Sequence, residues 1–403
     1  MKRTKIGAID VGTTKVCTIM GDTDPEGNLR IIGVGIAPSK GLQKGLVVNV
    51  NEAKESIRES VKKAEQTAGY KLESAYVGVT GRHISSANNR GVISITRNDR
   101  LVKPADLKRV LTVARSIKVP SDSKLLQIIP RSYAVDGQGG VKNPVGMHGM
   151  RLDVEAHIIT AAVSSVQNLT KCIRGVGVDI DDLVLEPLAS GEAVLTKEER
   201  ETGVLLADIG GGTTDIAVFK DNSIFHTSIL PVAGYQVTQD ISVGLGISFD
   251  LAEEMKKKYG SVLTSDEQTD ADRTITEDGH SVSYRQLNEI VRIRMEELLR
   301  LIMLELPRVD YTKLIPSGLV LTGGASNLPG TDELATHLLR MPVRIGRPVN
   351  LYGVSDVLGD PAYATSVGLL LWKARNQAPG TQSFMKKESG MRLFFSRIFR
   401  IFQ

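Results

Sequence analysis

The sequence has few aromatic residues, almost no cysteine and no long apolar run. Only 4% of its 403 residues are aromatic, with a single Trp, and only two are Cys. Cys17 and Cys172 each lie in an apolar run, which is typical of reduced core thiols in a cytosolic protein. No segment approaches the roughly 20 consecutive apolar residues that span a bilayer. These absences argue against a disulfide-rich secreted domain and a membrane-spanning protein, and we expect a soluble body.

The chain also lacks a strong excess of one charge. It carries 50 basic and 46 acidic residues, with a net charge of +4. The basic residues are spread out without aromatic residues between them, so no nucleic-acid partner is expected. The first apolar run is interrupted at Asp10, which makes it too short for a signal peptide. A chain of this length is expected to form two or more domains.

Two similar segments lie about half a chain apart. IGAIDVGTTKVCTIM runs from Ile6 to Met20, and VLLADIGGGTTDIAVF runs from Val204 to Phe219. In each, a run rich in β-branched residues ends in Asp, a turn of Gly and Thr follows, and a second run begins. This pattern predicts a β-hairpin with a glycine-rich turn. Its recurrence predicts a duplicated α/β domain.

Glycine-rich turns of this kind can hold the phosphates of a nucleotide. Glycine has no Cβ atom, so backbone N–H groups can approach a phosphate, and Thr hydroxyls and a Lys ammonium add to the site. Asp carboxylates can hold the waters around Mg²⁺. We predict that the two turns face each other across a cleft, with Asp10 and Asp208 near Mg²⁺. The candidate residues are Asp10, Gly12, Thr13, Thr14, Lys15, Asp208, Gly210, Gly211, Gly212, Thr213 and Thr214.

A third glycine turn occurs in LVLTGGASNLPG, from Leu319 to Gly330. It follows a strand-like run and precedes a helical pattern. Together the three turns resemble those of the actin/Hsp70/sugar-kinase superfamily. In that superfamily the first two turns bind phosphate, and the third, here Gly323, Gly324 and Ala325, binds adenosine. The resemblance implies an actin-like ATPase fold that binds ATP and Mg²⁺, with two duplicated α/β domains around a nucleotide cleft.

One helical pattern is similar to the first connecting helix of the superfamily. It is LEPLASGEAVL, from Leu185 to Leu195. The similarity places Glu186 beside the terminal phosphate, as the catalytic candidate for positioning a water. Nothing in the sequence indicates a fast reaction, so we expect ATP hydrolysis to be slow or absent.

A second helical pattern, FDLAEEMKKKYG from Phe249 to Gly260, is similar to a nucleotide-binding helix of the superfamily. The resemblance implies that Glu253, Lys256 and Lys257 touch the ribose and the adenine. Spacing alone favours a simpler interpretation, in which the charged residues form a solvated face of the helix.

The segment between the first two turns is the most specific feature of the sequence. LLQIIPRSYAVDGQGGVKNPVGMHGMRLDVEAHIITA, from Leu125 to Ala161, predicts a strand, a glycine-rich turn and loop, and a closing strand. A helix with Pro104 in its first turn precedes it. These elements predict an α+β insertion module in the first domain. The segment resembles the FtsA family of bacterial cell-division proteins, and the resemblance extends from Ile6 to about Lys373.

The resemblance implies a division of the chain into six parts. The first actin-like subdomain has three stretches, and the second has two. The expected parts are the first subdomain (1–83, 163–201 and 350–375), its insertion module (84–162), the second subdomain (202–244 and 310–349), an insertion that binds the tail of FtsZ (245–309), a flexible linker (376–390) and an amphipathic membrane-targeting helix (391–403).

The insertion of the second domain ends in an arginine-bearing helix. Ser283 and Gln286 have the spacing of a capping box, and Pro307 ends the run. In the FtsA family this part binds the C-terminal peptide of FtsZ, which mixes acidic and apolar residues. Alternatively, the arginines pair on a solvated face, with Glu289, Glu296 and Glu297. The candidate peptide contacts are Arg285, Arg292, Arg294 and Arg300.

The C-terminal stretch MRLFFSRIFRIFQ holds four of the eight Phe residues. The polar residues 376–390 before it are typical of a flexible linker. On a helix, residues 391–403 form a basic face opposite an aromatic face, and the helix is too short to span a bilayer. We expect it to lie in the interface of an anionic membrane. The candidate membrane residues are Leu393, Phe394, Phe395, Arg397, Ile398, Phe399, Arg400, Ile401 and Phe402.

The family resemblance implies a structural adaptor of cell division. Such a protein binds ATP, self-associates into filaments on the cytoplasmic face of the cell membrane at the division septum, tethers FtsZ and recruits later division proteins. One alternative is a small-molecule phosphotransferase of the same superfamily, which leaves the C-terminal stretch unexplained. Another is a pilus-assembly actin homologue, for which neither the KNPVGM segment nor the terminal basic helix is expected.

Overall fold

The computed structural model describes residues 4–23, 29–263, 273–307, 310–349, 351–354 and 356–375. Its strands are β1 (Thr4–Val11), β2 (Lys15–Thr23), β3 (Leu29–Pro38), β4 (Leu42–Gln43), β5 (Leu46–Val47), β6 (Ser74–Val79), β7 (Ile84–Ser94), β8 (Ser123–Val135), β9 (Gln138–Val141), β10 (Arg151–Ala162), β11 (Asp179–Leu185), β12 (Val204–Ile209), β13 (Thr214–Lys220), β14 (Ser223–Leu230), β15 (Thr274–Glu277), β16 (His280–Ser283), β17 (Leu319–Thr322) and β18 (Val343–Ile345). Its helices are α1 (Val50–Ala68), α2 (Pro104–Ala114), α3 (Val163–Arg174), α4 (Glu186–Val194), α5 (Lys197–Thr202), α6 (Gly234–Leu245), α7 (Phe249–Tyr259), α8 (Tyr284–Leu304), α9 (Tyr311–Leu314), α10 (Thr331–Leu339) and α11 (Ala364–Arg375), with 3₁₀ turns at Gly324–Asn327 and Pro361–Tyr363.

Two five-stranded sheets with the same strand order form the two halves of the molecule. The order is β3-β2-β1-β6-β11 in the first and β14-β13-β12-β17-β18 in the second. In each sheet three strands form an antiparallel meander, and two further strands run parallel to the central one. The predicted duplication is therefore confirmed.

Both predicted hairpins form, and each places its first Asp near the end of a central strand. In the first hairpin Asp10 lies opposite Cys17, and in the second Asp208 lies opposite Asp215. Each central strand also runs parallel to a neighbour, β6 or β17. Ligands of α/β sheets bind outside the carboxyl ends of such strands, so the topology places both glycine turns where a ligand can bind.

Helices α4 and α11 connect the two halves. Helix α4 packs against strands of both sheets, and α11 packs along α4 and onto β1, β2 and β6. On α4, every residue from Glu186 to Val194 is buried, because the helix lies between the halves rather than on the surface. The start of α11 therefore lies close to the ends of both central strands.

Helix α1 covers β2 and β3 of the first sheet. The Asn49 side chain accepts hydrogen bonds from the backbone N–H groups of Asn51 and Glu52, which caps the start of the helix. The helix ends at Gly69, whose φ of 77° is left-handed. Its buried side chains recur at helical spacing: Ala53, Ile57, Val61 and Ala64.

The insertion in the first half is a separate small α+β module. Its sheet has the order β7-β10-β8-β9, and α2 packs on β7 and β10. Helix α2 starts at Pro104, as predicted, and buries Leu107, Val110, Leu111 and Ala114 in a core of the module's own. The predicted α+β insertion is confirmed.

The insertion in the second half contains α7, the hairpin β15–β16 and α8. The Ser283 hydroxyl accepts a hydrogen bond from the backbone N–H of Gln286 and caps α8. The core-facing residues of α8 include Leu287, Val291, Met295, Leu298 and Ile302. Among the described residues, no helix has both the length and the apolar composition needed to cross a bilayer. The predicted linker (376–390) and terminal helix (391–403) lie outside the described residues.

Candidate functional site

A cavity of about 440 Å³ lies between the two halves, and all three glycine turns line it. Glu186 and the residues predicted to bind the cofactor line this cavity, with the exception of Thr214. Thr214 is buried, and its hydroxyl donates to the carbonyl of Val232 at 2.7 Å. The structure thus brings residues from five distant parts of the sequence together at one site.

The first two glycine turns face each other at very short range. A Cβ atom added at Gly211 would lie 2.0 Å from Thr14 Oγ1, and one added at Gly212 would lie 2.5 Å from Thr13 Oγ1. Real Cβ atoms essentially never come this close to another atom. Only glycine therefore allows the turns to approach each other, and their backbone and hydroxyl groups line one narrow space.

The third turn lies directly against the second. Gly323 has a φ of 84°, and a Cβ atom there would lie 2.4 Å from Asp208 Oδ1 and 2.5 Å from the carbonyl oxygen of Ile209. Both the left-handed backbone and the lack of space require glycine at this position. The parallel pairing of β12 with β17 explains why two turns so far apart in sequence touch.

Asp10 and Asp208 are held by two consecutive residues at the start of α11. Ser366 Oγ donates to Asp10 Oδ2 at 2.6 Å, and Thr365 Oγ1 donates to Asp208 Oδ2 at 2.9 Å. Burial raises the pKa of both carboxyl groups, and that of Asp208 rises to about 6. One helix turn therefore holds one carboxyl group from each half of the molecule.

Asp215 and Glu186 add two more buried carboxyl groups. Asp215 accepts hydrogen bonds from the hydroxyl of Thr80, in the first half, and from Thr213 Oγ1 at 3.1 Å. Burial is the main cause that raises the pKa of Asp215 to about 7. Burial, followed by repulsion from Asp10, raises the pKa of Glu186 well above its ordinary value. A cation bound here would relieve this accumulation of negative charge.

The described residues contain no group of three or more His, Cys, Asp or Glu side chains placed to hold a metal ion directly. Asp10 and Asp208 nevertheless line the same cavity. Mg²⁺ in proteins usually keeps several waters and contacts one or two carboxylates. The geometry therefore fits a Mg²⁺ ion held by these two residues through its waters, as the sequence predicts.

Lys15, in the first turn, contacts the 3₁₀ turn Pro361–Tyr363 that precedes α11. Its ammonium donates to the carbonyl of Ala362 at 2.7 Å and lies 4.6 Å from the centre of the Tyr363 ring. The cation thus sits at the wall of the cavity, within the site that the phosphate turns form.

On α7, the three predicted nucleotide-binding residues differ in their surroundings. The Lys256 ammonium is buried and hydrogen-bonded to protein groups, including Glu253 Oε2 at 2.5 Å. The Lys257 ammonium lies 3.0 Å from Glu253 Oε1, with 62% of its side chain exposed. Burial is the largest influence on the Lys256 pKa and lowers it. Spacing alone predicts a solvated face for all of them, which is wrong for Lys256.

Several lining residues were missed by sequence reasoning. Asp215 closes the DIGGGTTD motif, so its position next to the second turn was a usable signal. Thr80 and Thr365 had no such signal, because their hydrogen bonds join residues 135 and 157 positions apart. Other lining residues outside the predicted set are Gly234, Gly260, Asn327, Leu328, Pro329, Asp360, Ala362 and Tyr363.

The arginines predicted to bind a partner peptide are largely paired within the protein. Arg292 Nε donates to Glu296 at 3.1 Å, and Arg300 lies 3.8 Å from the same residue. Arg294 pairs with Glu297 at 2.6 Å and also with Asp240 of α6. Arg285 lies on the exposed surface at the start of α8. These ion pairs agree with the alternative interpretation, in which the arginines pair with glutamates of the same helix, at Glu296 and Glu297.

Comparison with known proteins identifies the family. A family model described as cell division protein FtsA matches residues 205–368, and the model of the SHS2 domain inserted in FtsA matches residues 81–160. The cell division protein FtsA of Pseudomonas aeruginosa is 42% identical over 381 residues, which cover 93% of this chain and 90% of that protein. The chain belongs to the FtsA family. FtsA of Escherichia coli K12 is 34% identical over 96% of this chain and 94% of its own length.

Solved structures of proteins outside the FtsA family have the same fold as this chain. The chain superposes on a PilM–PilN type IV pilus biogenesis complex with a TM-score of 0.63 and 17% identity, covering 93% of this chain and 99% of that one. MreB5 of Spiroplasma citri bound to ADP gives a TM-score of 0.55 and 13% identity. The superposition covers 92% of this chain and 96% of the MreB5 chain. At these identities the likeness shows the fold alone, so the actin-like fold is confirmed. Membership in the FtsA family separates this chain from the pilus-assembly alternative.

Proposed function

We propose that this FtsA-family chain binds ATP with Mg²⁺, polymerises on the inner face of the cytoplasmic membrane and tethers FtsZ filaments to it. The observation that carries this proposal is the cavity between the halves, where three glycine turns and two buried Asp residues converge. A protein of the same fold, MreB5, has been solved with ADP bound. That neighbour supports a nucleotide as the ligand of this cavity.

Each lining group has a role that fits its position. The backbone N–H groups of Gly211 and Gly212 and the hydroxyl groups of Thr13 and Thr14 would donate to phosphate oxygens. Asp10 and Asp208 would hold the waters of Mg²⁺. Lys15 supplies a point charge for a phosphate oxygen. The third turn, with Gly323, Gly324 and Ala325, offers a flat backbone surface to the adenosine.

Glu186 is the residue we assign to the hydrolytic water. It is buried, and it lines the cavity beside the three Asp residues. Burial and the neighbouring carboxylates raise its pKa. We expect ATP hydrolysis to be slow or absent, in keeping with an adaptor rather than an enzyme of rapid turnover.

The membrane contact is assigned to residues 391–403. On a helix, Phe394, Phe395, Ile398, Phe399, Ile401 and Phe402 would lie on the apolar face, and Arg397 and Arg400 would lie on the basic face together with Leu393. One short amphipathic segment binds a membrane weakly and reversibly. Several segments on one filament bind far more tightly, because each bound segment raises the effective concentration of the next. Polymerisation would thus turn weak contacts into stable attachment at the septum.

The contact with FtsZ is assigned to the insertion that contains α8. Arg285 is exposed there, and Ile293 of the same helix is 62% exposed. A cationic and an apolar group on one helix suit a peptide that mixes acidic and apolar residues. Binding through Arg292, Arg294 and Arg300 would require the peptide to compete with their internal partners. Later division proteins would be recruited to the filament that results.

Co-sedimentation with liposomes tests the proposal. The full chain and a chain ending at Gly390 are mixed with anionic or zwitterionic liposomes, with and without ATP·Mg²⁺. We expect the full chain to pellet with anionic liposomes, and more so with ATP·Mg²⁺, while the shorter chain stays in the supernatant. Pelleting of the shorter chain would refute the terminal helix as the anchor. Pelleting that does not depend on ATP would keep the anchor but remove polymerisation from the mechanism. No pelleting at all would mean that the terminal segment packs elsewhere, and the phosphotransferase alternative would then need a substrate screen.

A further inference from the structure

An exposed apolar cluster lies beside the outer edge of the first sheet. Its members are Tyr352, Val354 and Val357, which are 65%, 52% and 52% exposed; we call them the edge patch. The segment that carries them is anchored, because Leu351 packs against the core of the first half and Leu358 is fully buried in it. Large apolar side chains that are grouped on an anchored surface mark a contact site.

Backbone hydrogen bonds hold the edge patch against β3, the last strand of its sheet. The N–H of Ile31 donates to the carbonyl of Tyr352 at 2.8 Å, and the N–H of Val354 donates to the carbonyl of Ile31 at 3.1 Å. Between them, Gly353 has a φ of 100°, and a Cβ atom there would lie 2.0 Å from the Ile31 carbonyl oxygen. Only glycine permits this approach, so Tyr352 and Val354 have fixed places at the sheet edge.

The edge patch lies level with the end of α11. Through the pairing of β3 with β2 and of β2 with β1, Ile31 lies level with Ile6. Ile6 precedes Asp10 by four strand residues, or about 13 Å. Helix α11 packs on β1, and its Ser366 holds Asp10. About 13 Å along a helix from Ser366 is nine residues, which leads to Arg375.

The chain beyond Arg375 is long enough for residues 391–403 to reach the edge patch. The patch lies three strand spacings from β1, about 14 Å across the sheet. A coil of 15 residues, the length of 376–390, has a root-mean-square end-to-end distance of roughly 20 Å. A linker whose reach matches the span gives the highest effective concentration. Even a weak contact between the terminal segment and the patch is therefore favoured within one chain.

The charge of the edge patch suits this segment better than it suits lipid. Asp356, in the same stretch of chain, is exposed. Its carboxylate is repelled by anionic headgroups but attracts an arginine. On a helix, Arg392 and Arg397 border the aromatic face of residues 391–403 on its two sides, and a long side chain there can reach a neighbouring carboxylate.

We propose that residues 391–403 dock on the edge patch of their own chain when no membrane is present. Their aromatic face covers the three apolar side chains, and a bordering arginine lies beside Asp356. The docked segment is closed to lipid, so the fraction of undocked chains sets the apparent affinity for a membrane. The inference rests on the proposed membrane contact of this segment, and it adds a control on that contact.

A liposome titration of the full chain tests the proposal. The variant combines Tyr352→Ser with Val354→Ser, and nucleotide is omitted so that polymerisation does not contribute. Both side chains are exposed, so the fold should stay intact. Because docking is weakened, we expect the affinity for anionic liposomes to rise by about threefold or more. Weaker binding would show that the edge patch itself contacts lipid, and unchanged binding would show that nothing docks there. Either result overturns the proposal.

The matched control combines Val48→Ser with Val243→Ser. These substitutions also remove two exposed apolar side chains, but away from the edge patch. We expect the affinity of this control for liposomes to equal that of the unmodified chain. An equal rise in the control would mean that the loss of any exposed apolar side chain has this effect, which would also overturn the proposal.

Hydrogen exchange detects the docked state itself. Without lipid, residues 351–354 and 356–358 should exchange more slowly in the full chain than in a chain ending at Gly390, and anionic liposomes should remove the difference. The protection should not depend on protein concentration. Protection that grows with concentration would mean that a second copy covers the patch, and would overturn docking within one chain.

The two measurements separate this inference from the proposed membrane contact. If the full chain shows the protection but does not bind liposomes, the membrane contact fails while docking stands. If the full chain binds liposomes through residues 391–403 but shows no protection at the edge patch, docking fails while the membrane contact stands.

Discussion

The two halves of the molecule meet at two places of opposite character. One is the floor of the cleft, where Asp10, Glu186, Asp208 and Asp215 are all buried. The pKa of each of these carboxyl groups is raised, chiefly by burial. The cleft floor thus brings four acidic groups together, and the protein itself does not fully balance their negative charge.

The other meeting place is the seam, which we define as the contact of the insertion module with β14. His157 accepts a hydrogen bond from Thr227 Oγ1 at 2.9 Å and donates to Asn88 Oδ1 at 2.7 Å. Asn88 Nδ2 donates to the carbonyl of Phe225 at 3.1 Å, and Ser86 Oγ donates to that of Thr227 at 3.0 Å. Burial lowers the pKa of His157 to about 3, so the ring is neutral, and both of its nitrogen atoms have hydrogen-bond partners.

The two contacts differ in how well their buried polar groups are balanced within the protein. Buried carboxyl groups without a cation weaken a fold, and proteins retain such groups at functional sites. A buried neutral network with every partner present costs little and fixes one arrangement. The seam also covers the outer edge of β14, which is the last strand of its sheet, and covering an edge prevents unwanted strand pairing.

The largest effect is expected from breaking the seam. His157→Leu removes both ring hydrogen bonds, one to the exposed Asn88 and one to Thr227 Oγ1, which is left buried without this partner. The loss should destabilise the contact by about 2–4 kcal/mol. Hydrogen exchange should accelerate in residues 84–90 and 223–230, with little change at the cleft. His148→Leu is the control, since His148 is exposed and should leave exchange unchanged. Uniform acceleration across the chain would contradict a local seam.

At the cleft floor we expect a smaller change in the free energy of unfolding, and here the substitution should stabilise the protein. Folding raises the pKa of Asp215 to about 7, so the folded chain holds this proton more tightly than the unfolded chain does. The resulting stability is present below pH 4 and is lost as the pH rises through about 7. Asp215→Asn should therefore stabilise the nucleotide-free chain by about 1–4 kcal/mol at pH 8, with the difference vanishing near pH 4. Urea unfolding at both pH values measures it, and a stabilisation that does not depend on pH would contradict the assignment.

The smallest effect is expected next to the seam, where the insertion module contacts α5. Lys142 of the module pairs with Glu201 at 3.3 Å, with both side chains more than half exposed. Solvent and salt screen such a pair. Lys142→Ala should give no resolvable change in the unfolding midpoint or in hydrogen exchange of β14. A clear loss at low salt would show that the seam extends to the surface and is partly ionic.

Local patterns allowed much of the fold and most of the cleft to be predicted. Each glycine turn carries its Asp, Gly and Thr within a few residues, so Asp10, Asp208 and Gly323 could be identified before any tertiary contact was known. Thr365 and the seam residue His157 could not, because their roles depend on partners far away in sequence. Lys256 shows a further limit, since motif likeness located it at the cleft but gave no account of the acceptors that use its ammonium.

Helix α11 has a mechanical consequence. Its first turn holds Asp10 and Asp208 through Ser366 and Thr365, and its last residue, Arg375, leads into the final 28 residues of the chain. A helix of 12 residues is a stiff rod of about 18 Å. Any pull on the C-terminal segment is therefore carried along this rod to the hydroxyl groups at the cleft floor. If the proposed ligand binds at Asp10 and Asp208, α11 would connect the C-terminal segment to the same two carboxyl groups.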